Sequence, residues 1–157
     1  MGTEMPLLGR GFYWQDMPVG YKCRTFGRTV TETDLVNFIS CTGMLEVLFT
    51  NEIYRQTESA IKGRFGPGAL VYSMAEGLVI GPTIQGTGMA FLSMELEIKG
   101  PVFVGDTIHV ELEVTESRAA SKGNRGLVKT RNAIVNQNGD TVMVYTPLRM
   151  MKGRPEA

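Results

Sequence analysis

The first third of this sequence spaces its apolar residues as an α-helix does. Thr31 followed by Asp34 has the spacing of a capping box and predicts the start of a helix. A strand is predicted before this helix, at 21–30. Gly43 is predicted to end the helix. A second short helix is predicted at 51–57. The apolar residues that share one face of the first helix are Leu35, Val36, Phe38 and Ile39.

A later helical segment, residues 69–80, is apolar nearly all round. It follows a Gly-Pro-Gly break at 66–68 and is predicted to stop at Gly81-Pro82, because proline does not continue a helix. A helix without a polar face belongs inside a domain. We therefore expect this segment to run through the centre of the fold.

The second half of the chain changes to the two-residue period of β-strands. Strands are predicted at 91–99, 107–115, 126–136 and 141–150, and the last two are joined by a tight hairpin at Asn138-Gly139. A long buried helix followed by antiparallel strands is typical of an α+β fold in which a curved sheet wraps around one helix.

The 107–115 strand shows the alternation most clearly. One face carries Ile108, Val110, Leu112 and Val114. The opposite, wetter face carries His109, Glu111 and Glu113. At 157 residues, the chain is expected to form a single domain, 1–157, with its core at about 16–150.

Charge and reactive side chains exclude several classes of function. Sixteen basic and sixteen acidic residues cancel, whereas nucleic-acid binding normally shows a basic excess. Cys23 and Cys41 form no CxxC pair, and with a single histidine they do not suggest a metal site. We find no apolar run of membrane-spanning length and no signal-peptide core at the N-terminus. A cytoplasmic protein that associates with itself is therefore expected.

Three ordered segments carry a resemblance to a known family. They are 29–38, the entry from strand to helix; 65–70, which leads into the central helix; and 101–107, a Pro-Val-x-x-Gly-Asp turn. Together they resemble the MaoC-like (R)-specific enoyl-CoA hydratases and dehydratases. The resemblance implies a hot-dog fold, no cofactor, an acyl-CoA or related thioester as the substrate, and a homodimer or a heteromer with another hot-dog subunit.

The catalytic signature of that family, Gly-Asp-x-Asn-Pro-x-His, does not carry over. Laid on this chain, Gly43 matches the glycine, but Met44 takes the aspartate position and Phe49 the histidine position. The histidine that commonly precedes the central helix is replaced by Pro67. The resemblance therefore implies the fold and the ligand class but not the usual acid/base pair.

Two residues are predicted to take part in catalysis. The resemblance implies that backbone N–H groups at the start of the central helix, at Gly68, stabilise the thioester oxygen, and a helix N-terminus favours negative charge. The alternative is that Gly66 and Gly68 only let the chain turn. Glu46 is the one carboxylate of the loop and becomes a useful base if a dry tunnel desolvates it. Its alternative role is that of an ordinary loop glutamate.

Five further residues are predicted to contact the substrate. Tyr72 and Ser73, in the first turn of the central helix, face bound thioester or else satisfy nearby backbone groups. The others make the pocket apolar: Met44, Phe49 and Pro67.

Three functions are compatible with these predictions. The first is a divergent hydratase or dehydratase that uses Glu46 as a non-standard base. The second is a non-catalytic acyl-thioester binder, or the inactive partner of an active subunit. The third is a hot-dog thioesterase that uses the carboxylate of Glu76 in the central helix.

Overall fold

A computed structural model describes residues 5–156. Its eight strands form one sheet, and every pairing between them is antiparallel. The strands are β1 (Lys22–Arg24), β2 (Arg28–Thr29), β3 (Gly88–Ser93), β4 (Leu96–Ile98), β5 (Thr107–Ala119), β6 (Arg125–Val135), β7 (Thr141–Tyr145) and β8 (Leu148–Lys152).

Four helices accompany the sheet, and a short 3-10 helix lies at Trp14–Asp16. They are α1 (Glu32–Thr42), α2 (Val47–Thr50), α3 (Glu52–Thr57) and α4 (Gly68–Ile84). Among the described residues, no helix combines the length and apolar character needed to cross a bilayer.

The long strands β5 and β6 form the middle of the sheet. β5 pairs with β1 and β2, whereas β6 pairs with β7 and β8. β4 continues the sheet beyond β7, and β3 continues it beyond β8. This order brings β7, β8, β3 and β4 to one half of the molecule, next to α4.

The core lies between α4 and the inner face of the sheet. The most deeply buried helix residues include Leu70, Val71, Ala75 and Val79. The four apolar residues predicted on the inner face of β5 are all buried, at 4% exposure or less. This arrangement confirms the predicted α+β hot-dog fold.

The predicted first helix is also present. Thr31 and Asp34 form the capping box, and Gly43 ends α1 in the left-handed conformation, with φ of 72°. Leu35 and Ile39 are buried, but Val36 is 43% exposed and lies off the packed face. The predicted helix at 51–57 is α3, whereas α2 was not predicted.

The predicted stop of the central helix at Gly81-Pro82 is wrong. α4 continues through both residues to Ile84. Pro82 removes the N–H donor for the carbonyl of Leu78. The next turn is supported by the Thr83 hydroxyl, which donates to the Val79 carbonyl at 2.5 Å.

Three predicted strands are interrupted. Residues 21–30 form β1 and β2, because one extra residue shifts the register against β5. The 91–99 and 141–150 strands each divide in two, and their breaks lie side by side: the Thr146 N–H donates to the Glu95 carbonyl at 2.9 Å. Pro147 stands at the second break, where it cannot donate to the ladder.

Candidate active site

The segment 43–50, called the α1–α2 loop below, consists of the turn after α1 and α2 itself, and it packs through α2 against the entry to α4. The ring of Phe49, which is half-buried, meets the ring of Phe65 edge-on at 5.8 Å between centroids. Met44 lies on the outer side of the loop and is 38% exposed. The structure therefore brings Phe49, but not Met44, next to the chain that leads into α4.

Glu46 lies at the surface and caps α2. Its Oε2 accepts a hydrogen bond from the Leu48 N–H at 3.0 Å. The side chain is exposed, so the chain's own residues do not supply the dry tunnel on which the predicted base depends. Capping is the role that the geometry shows, and catalysis by Glu46 stays a prediction.

Two arginines that the sequence reasoning missed hold this loop in place. Arg64 donates to the Phe49 carbonyl at 2.5 Å and to both carboxylate oxygens of Glu32. Its hydrogen bonds lower the pKa of Glu32, which stands in the first turn of α1. Arg55 is only 4% exposed and donates to the Leu48 carbonyl at 3.5 Å. Burial, and then the positive charge of Arg64, lower the pKa of Arg55.

The start of α4 presents backbone donors. The Gly66 N–H donates to the Val102 carbonyl at 3.0 Å, which fixes the approach to the helix, and Pro67 is the N-cap. Within residues 5–156, the N–H groups of Gly68 and Ala69 have no acceptor. Gly68 also sits close to Ile98: an added Cβ would lie 2.6 Å from its Cδ1 atom.

Tyr72 and Ser73 lie in the second turn of α4 and differ in what they contact. Ser73 is exposed, and its hydroxyl donates to the Ala69 carbonyl at 2.7 Å, the backbone role that was the alternative to substrate contact. The half-buried ring of Tyr72 meets the ring of Tyr145 edge-on at 5.2 Å. Burial, reinforced by the nearby Glu76 carboxylate, raises the pKa of Tyr72.

One turn beyond Tyr72 lies an ion pair inside the fold. Nη2 of Arg149 is 2.7 Å from each carboxylate oxygen of Glu76, and the two side chains are only 10% and 14% exposed. The guanidinium stacks on the ring of Phe91 at 4.9 Å. Glu76, the carboxylate considered for thioester hydrolysis, is thus already engaged with a cation.

Behind this ion pair, two buried polar side chains have no hydrogen-bond partner. Asn132 and Tyr145 are 0% exposed and face each other across β6 and β7. Among residues 5–156, no partner has hydrogen-bond geometry toward either polar atom of the Asn132 amide or toward the Tyr145 hydroxyl, although that hydroxyl lies beside Asn132 and the Glu76 carboxylate. Burial raises the pKa of Tyr145, and the Glu76 carboxylate acts in the same direction. We call Tyr72, Glu76, Asn132, Tyr145 and Arg149 the polar layer.

The other reactive groups lie elsewhere. His109, the sole imidazole of the sequence, is on the outer face of β5, with Nε2 3.4 Å from Glu111 Oε1. Among residues 5–156, no three His, Cys, Asp or Glu side chains are placed to hold a metal ion. An apolar cavity of about 510 Å³ lies between β1, β5 and the C-terminal half of α4, and none of the predicted site residues lines it.

Most of the chain matches a known protein family. The model of the FAS1-like dehydratase domain region matches residues 18–145. The chain belongs to this dehydratase family. The match spans α1, the loop, α4 and most of the sheet, so it includes every predicted site residue and all of the polar layer except Arg149.

Two curated relatives agree with that assignment, and one solved structure shares the fold. The chain is 28% identical to the (R)-specific enoyl-CoA hydratase of Rhodospirillum rubrum over 103 residues, 66% of this chain and 69% of that protein. It is 28% identical to the 3-hydroxybutyryl-CoA dehydratase of Methylorubrum extorquens over 110 residues, 68% and 66% of the two chains. A MaoC-like dehydratase from Rhodospirillum rubrum shares the fold with a TM-score of 0.81 and 21% identity, covering 93% of this chain and 100% of that one. The predicted MaoC-like family is confirmed.

The polar layer could have been suspected from two isolated charges. Glu76 is the only charged residue in the apolar run 68–84, and Arg149 is the only one between 141 and 151. An acid and a base that interrupt two otherwise apolar elements are a signal for a buried ion pair. No comparable pattern marks the other two buried residues: Tyr145 is ordinary in a strand, and a single Asn132 does not show from the sequence that it is buried.

Proposed function

We propose that this protein binds acyl-CoA or related thioesters and interconverts 2-enoyl and 3-hydroxyacyl forms. The observation that carries the proposal is the pair of unoccupied backbone donors at Gly68 and Ala69, beside a loop held against the same helix start. Donors fixed at a helix N-terminus stabilise the negative charge that develops on a thioester oxygen during such a reaction.

In this mechanism, Glu46 handles the proton. Hydration adds water across the C2–C3 double bond: the oxygen bonds to C3, and a proton is delivered to C2. Glu46 removes one proton from water and returns it to C2, so the carboxylate is regenerated. Its Oε2 is used in the cap, but Oε1 accepts no hydrogen bond from the described residues. The reaction needs no cofactor beyond the thioester itself.

The remaining predicted residues position the substrate. Phe49 and Pro67 form an apolar wall at the helix entry, and Tyr72 follows one turn along α4. Met44 and Ser73 are exposed, so they contact the thioester only at the outer edge of the proposed site. Desolvation of Glu46 then comes from the bound ligand or from a second subunit.

A second copy of the chain, or another hot-dog subunit, is proposed to pack on the β3 side. All six residues of β3 are exposed, and the strand pairs only with β8 among residues 5–156. Unpaired strand edges can pair with a further strand. The surroundings of β3 expose several large apolar residues, among them Leu92, Leu96 and Ile98.

The proposed location is the cytoplasm. Cys23 and Cys41 are free thiols, which fits the reducing cytoplasm.

The proposal is tested with a panel of enoyl-CoA and 3-hydroxyacyl-CoA substrates. We expect turnover by the wild type and a loss of about 10²–10⁴-fold in Glu46→Gln, the usual contribution of a general base. Glutamine keeps an oxygen for the Leu48 N–H, so the cap survives while proton transfer does not. Glu58→Gln, an exposed change on the neighbouring helix end, is the control. Equal turnover in wild type and Glu46→Gln rules out Glu46 as the base.

A second candidate is a non-catalytic acyl-thioester binder or the inactive partner of an active subunit. It is favoured by the exposure of Glu46 and by the lack of any imidazole in 42–49. In that case calorimetry detects binding of CoA esters, but the panel shows no turnover by the chain alone. Turnover that appears only with a second hot-dog subunit selects the inactive-partner form.

A further inference from the structure

Burying the polar layer is energetically unfavourable, and the stability of the fold does not explain why these side chains are polar. A buried polar group without a partner destabilises a fold, and a buried ion pair is often no better than apolar residues of the same volume. Here three polar atoms of Asn132 and Tyr145 are buried without partners next to such a pair. Groups of this kind call for a ligand or an internal water.

The layer lies along the same stripe of α4 as the proposed thioester site. Residues 68, 72 and 76 are spaced four apart and so share one side of the helix. At 1.5 Å per residue, Tyr72 lies about 6 Å and Glu76 about 12 Å along the axis from Gly68. Helical side chains tilt toward the N-terminus, which shortens the second distance. An acyl chain that starts at Gly68 and follows α4 therefore meets the layer after several carbons.

Of the five residues of the layer, Arg149 also lines a groove at the surface. Arg149 lies on the floor of a groove of about 340 Å³ between α4 and β3. The groove walls are mainly apolar and include Ile80, Ile84, Phe91 and Met150. An apolar chain with a polar end would find matching surfaces here.

Charge decides which polar end fits. The carboxylate of Glu76 balances the guanidinium of Arg149, so the layer has no net charge to offer an ion. A carboxylate brought into it would be a third, uncompensated charge, which low-dielectric surroundings penalise strongly. A hydroxyl can accept from Arg149 or Asn132 and donate to Glu76, and it adds no charge.

We propose that the polar layer recognises, by hydrogen bonding, a hydroxyl group on the part of the acyl chain that is distant from the thioester. This rests on the proposed thioester binding at Gly68 and specifies its substrate class: acyl thioesters with a distal hydroxyl, rather than plain or carboxylated chains. Asn132 and Tyr145, behind the ion pair, complete the donor and acceptor set for that group.

The test uses ligands that differ only at the far carbon. Dissociation constants are measured by calorimetry for hexanoyl-CoA, 6-hydroxyhexanoyl-CoA and adipoyl-CoA, and for the matching eight-carbon series. At one or both lengths, the hydroxylated ligand is expected to bind at least tenfold more tightly than the methyl-ended one, a difference of about 1.4 kcal/mol. The carboxylated ligand is expected to bind more weakly than the hydroxylated one.

Tyr145→Phe locates the preference, because it removes the unpartnered hydroxyl and keeps the ring. In this variant, the dissociation constants of the methyl-ended and hydroxylated ligands should differ by less than about threefold. The matched control is Tyr21→Phe, a half-buried tyrosine that packs on Phe12 across the helix from the layer, and it should keep the wild-type ratio. Asn132→Leu serves as a second variant should Tyr145→Phe not fold.

Each outcome is decisive. No binding of any thioester overturns the proposed function and this inference together. Binding of plain and hydroxylated chains with equal affinity leaves the proposed function standing and overturns the inference, since the layer then holds only internal water. Tightest binding of the carboxylated ligand overturns the charge argument, and an unchanged ratio in Tyr145→Phe overturns the assignment of the hydroxyl to this layer.

Discussion

Two arginine–glutamate pairs flank the start of α4, and they differ mainly in depth. Glu32 and Arg64, which hold the α1–α2 loop, have side chains that are 53% and 26% exposed. Glu76 and Arg149, inside the fold, are 14% and 10% exposed. The outer pair orders a loop from which the usual proton-handling side chains are missing. The inner pair places charge where a hot-dog core is expected to be apolar. Charged pairs thus lie both at the surface loop and in the interior that faces the helix.

The largest effect is expected from breaking the inner pair on one side only. Arg149→Met leaves the Glu76 carboxylate buried without its partner, which should cost about 3–5 kcal/mol of unfolding free energy. Replacing both residues, as Glu76→Met with Arg149→Met, should recover most of that loss. Urea unfolding at a fixed protein concentration measures both, because association would shift the midpoint.

The matching changes in the outer pair provide the control. Arg64→Met should cost far less, since exposed pairs contribute about 0.2–1 kcal/mol and the loop backbone loses one hydrogen bond. Similar losses for Arg149→Met and Arg64→Met would contradict the contrast in depth.

The helix start between the two pairs gives the next largest effect. Gly68→Pro deletes one N–H donor at the first helical position, where proline is well tolerated, and Pro67 already has the extended conformation that precedes proline. If that donor stabilises the thioester oxygen, turnover of enoyl-CoA should fall about 10²–10³-fold with little change in stability.

Gly68→Ala separates the donor from the added bulk. It introduces the same Cβ, close to the flexible end of Ile98, but keeps the N–H. It should retain most of the activity. Equal losses in the alanine and proline variants would assign the effect to crowding by Ile98 and not to the missing donor.

Much of the fold could be predicted because its signals are local. The Thr31 and Asp34 capping box, Gly43 at the end of α1 and the alternation in β5 each depend on a few neighbouring residues. The predictions that were wrong concern features that depend on contacts between distant segments. The predicted strands at 91–99 and 141–150 divide at breaks that lie side by side in the sheet, and Pro147 cannot donate to the ladder there. α4 passes Pro82 because packing outweighs one lost hydrogen bond.

The candidate site was less accessible from the sequence for the same reason. Glu46 and Phe49 could be singled out as positions of a motif, but exposure of the first and burial of the second depend on how α2 packs. The contact between Glu76 and Arg149 joins residues 73 positions apart. Sequence spacing does not encode such a contact, and isolated charges in apolar elements are its only local trace.

A smaller effect is expected from acid, and it separates the outer pair from the inner one. Arg64 lowers the pKa of Glu32 in the folded protein, so this pair stabilises the fold above the unfolded-state pKa of about 4.3. The contribution is lost as the pH falls through the lowered folded-state value. The unfolding free energy of the wild type should exceed that of Glu32→Gln by up to about 1 kcal/mol at pH 7, and this difference should disappear near pH 3. A gap of the same size at both pH values would mean that Glu32 acts through packing.

The smallest change in stability is expected from Tyr145→Phe. The hydroxyl is buried without a partner, so its removal should leave the unfolding free energy unchanged or raise it by up to about 1 kcal/mol. Tyr13→Phe is the comparison, because that hydroxyl accepts a hydrogen bond from Arg10 at 3.0 Å and its loss should be mildly destabilising. A loss above about 2 kcal/mol in Tyr145→Phe would show that the hydroxyl is satisfied, by an internal water or by Glu76. A gain in stability combined with loss of preference for hydroxylated ligands would show that the inner region keeps its polarity for binding, at the expense of the core.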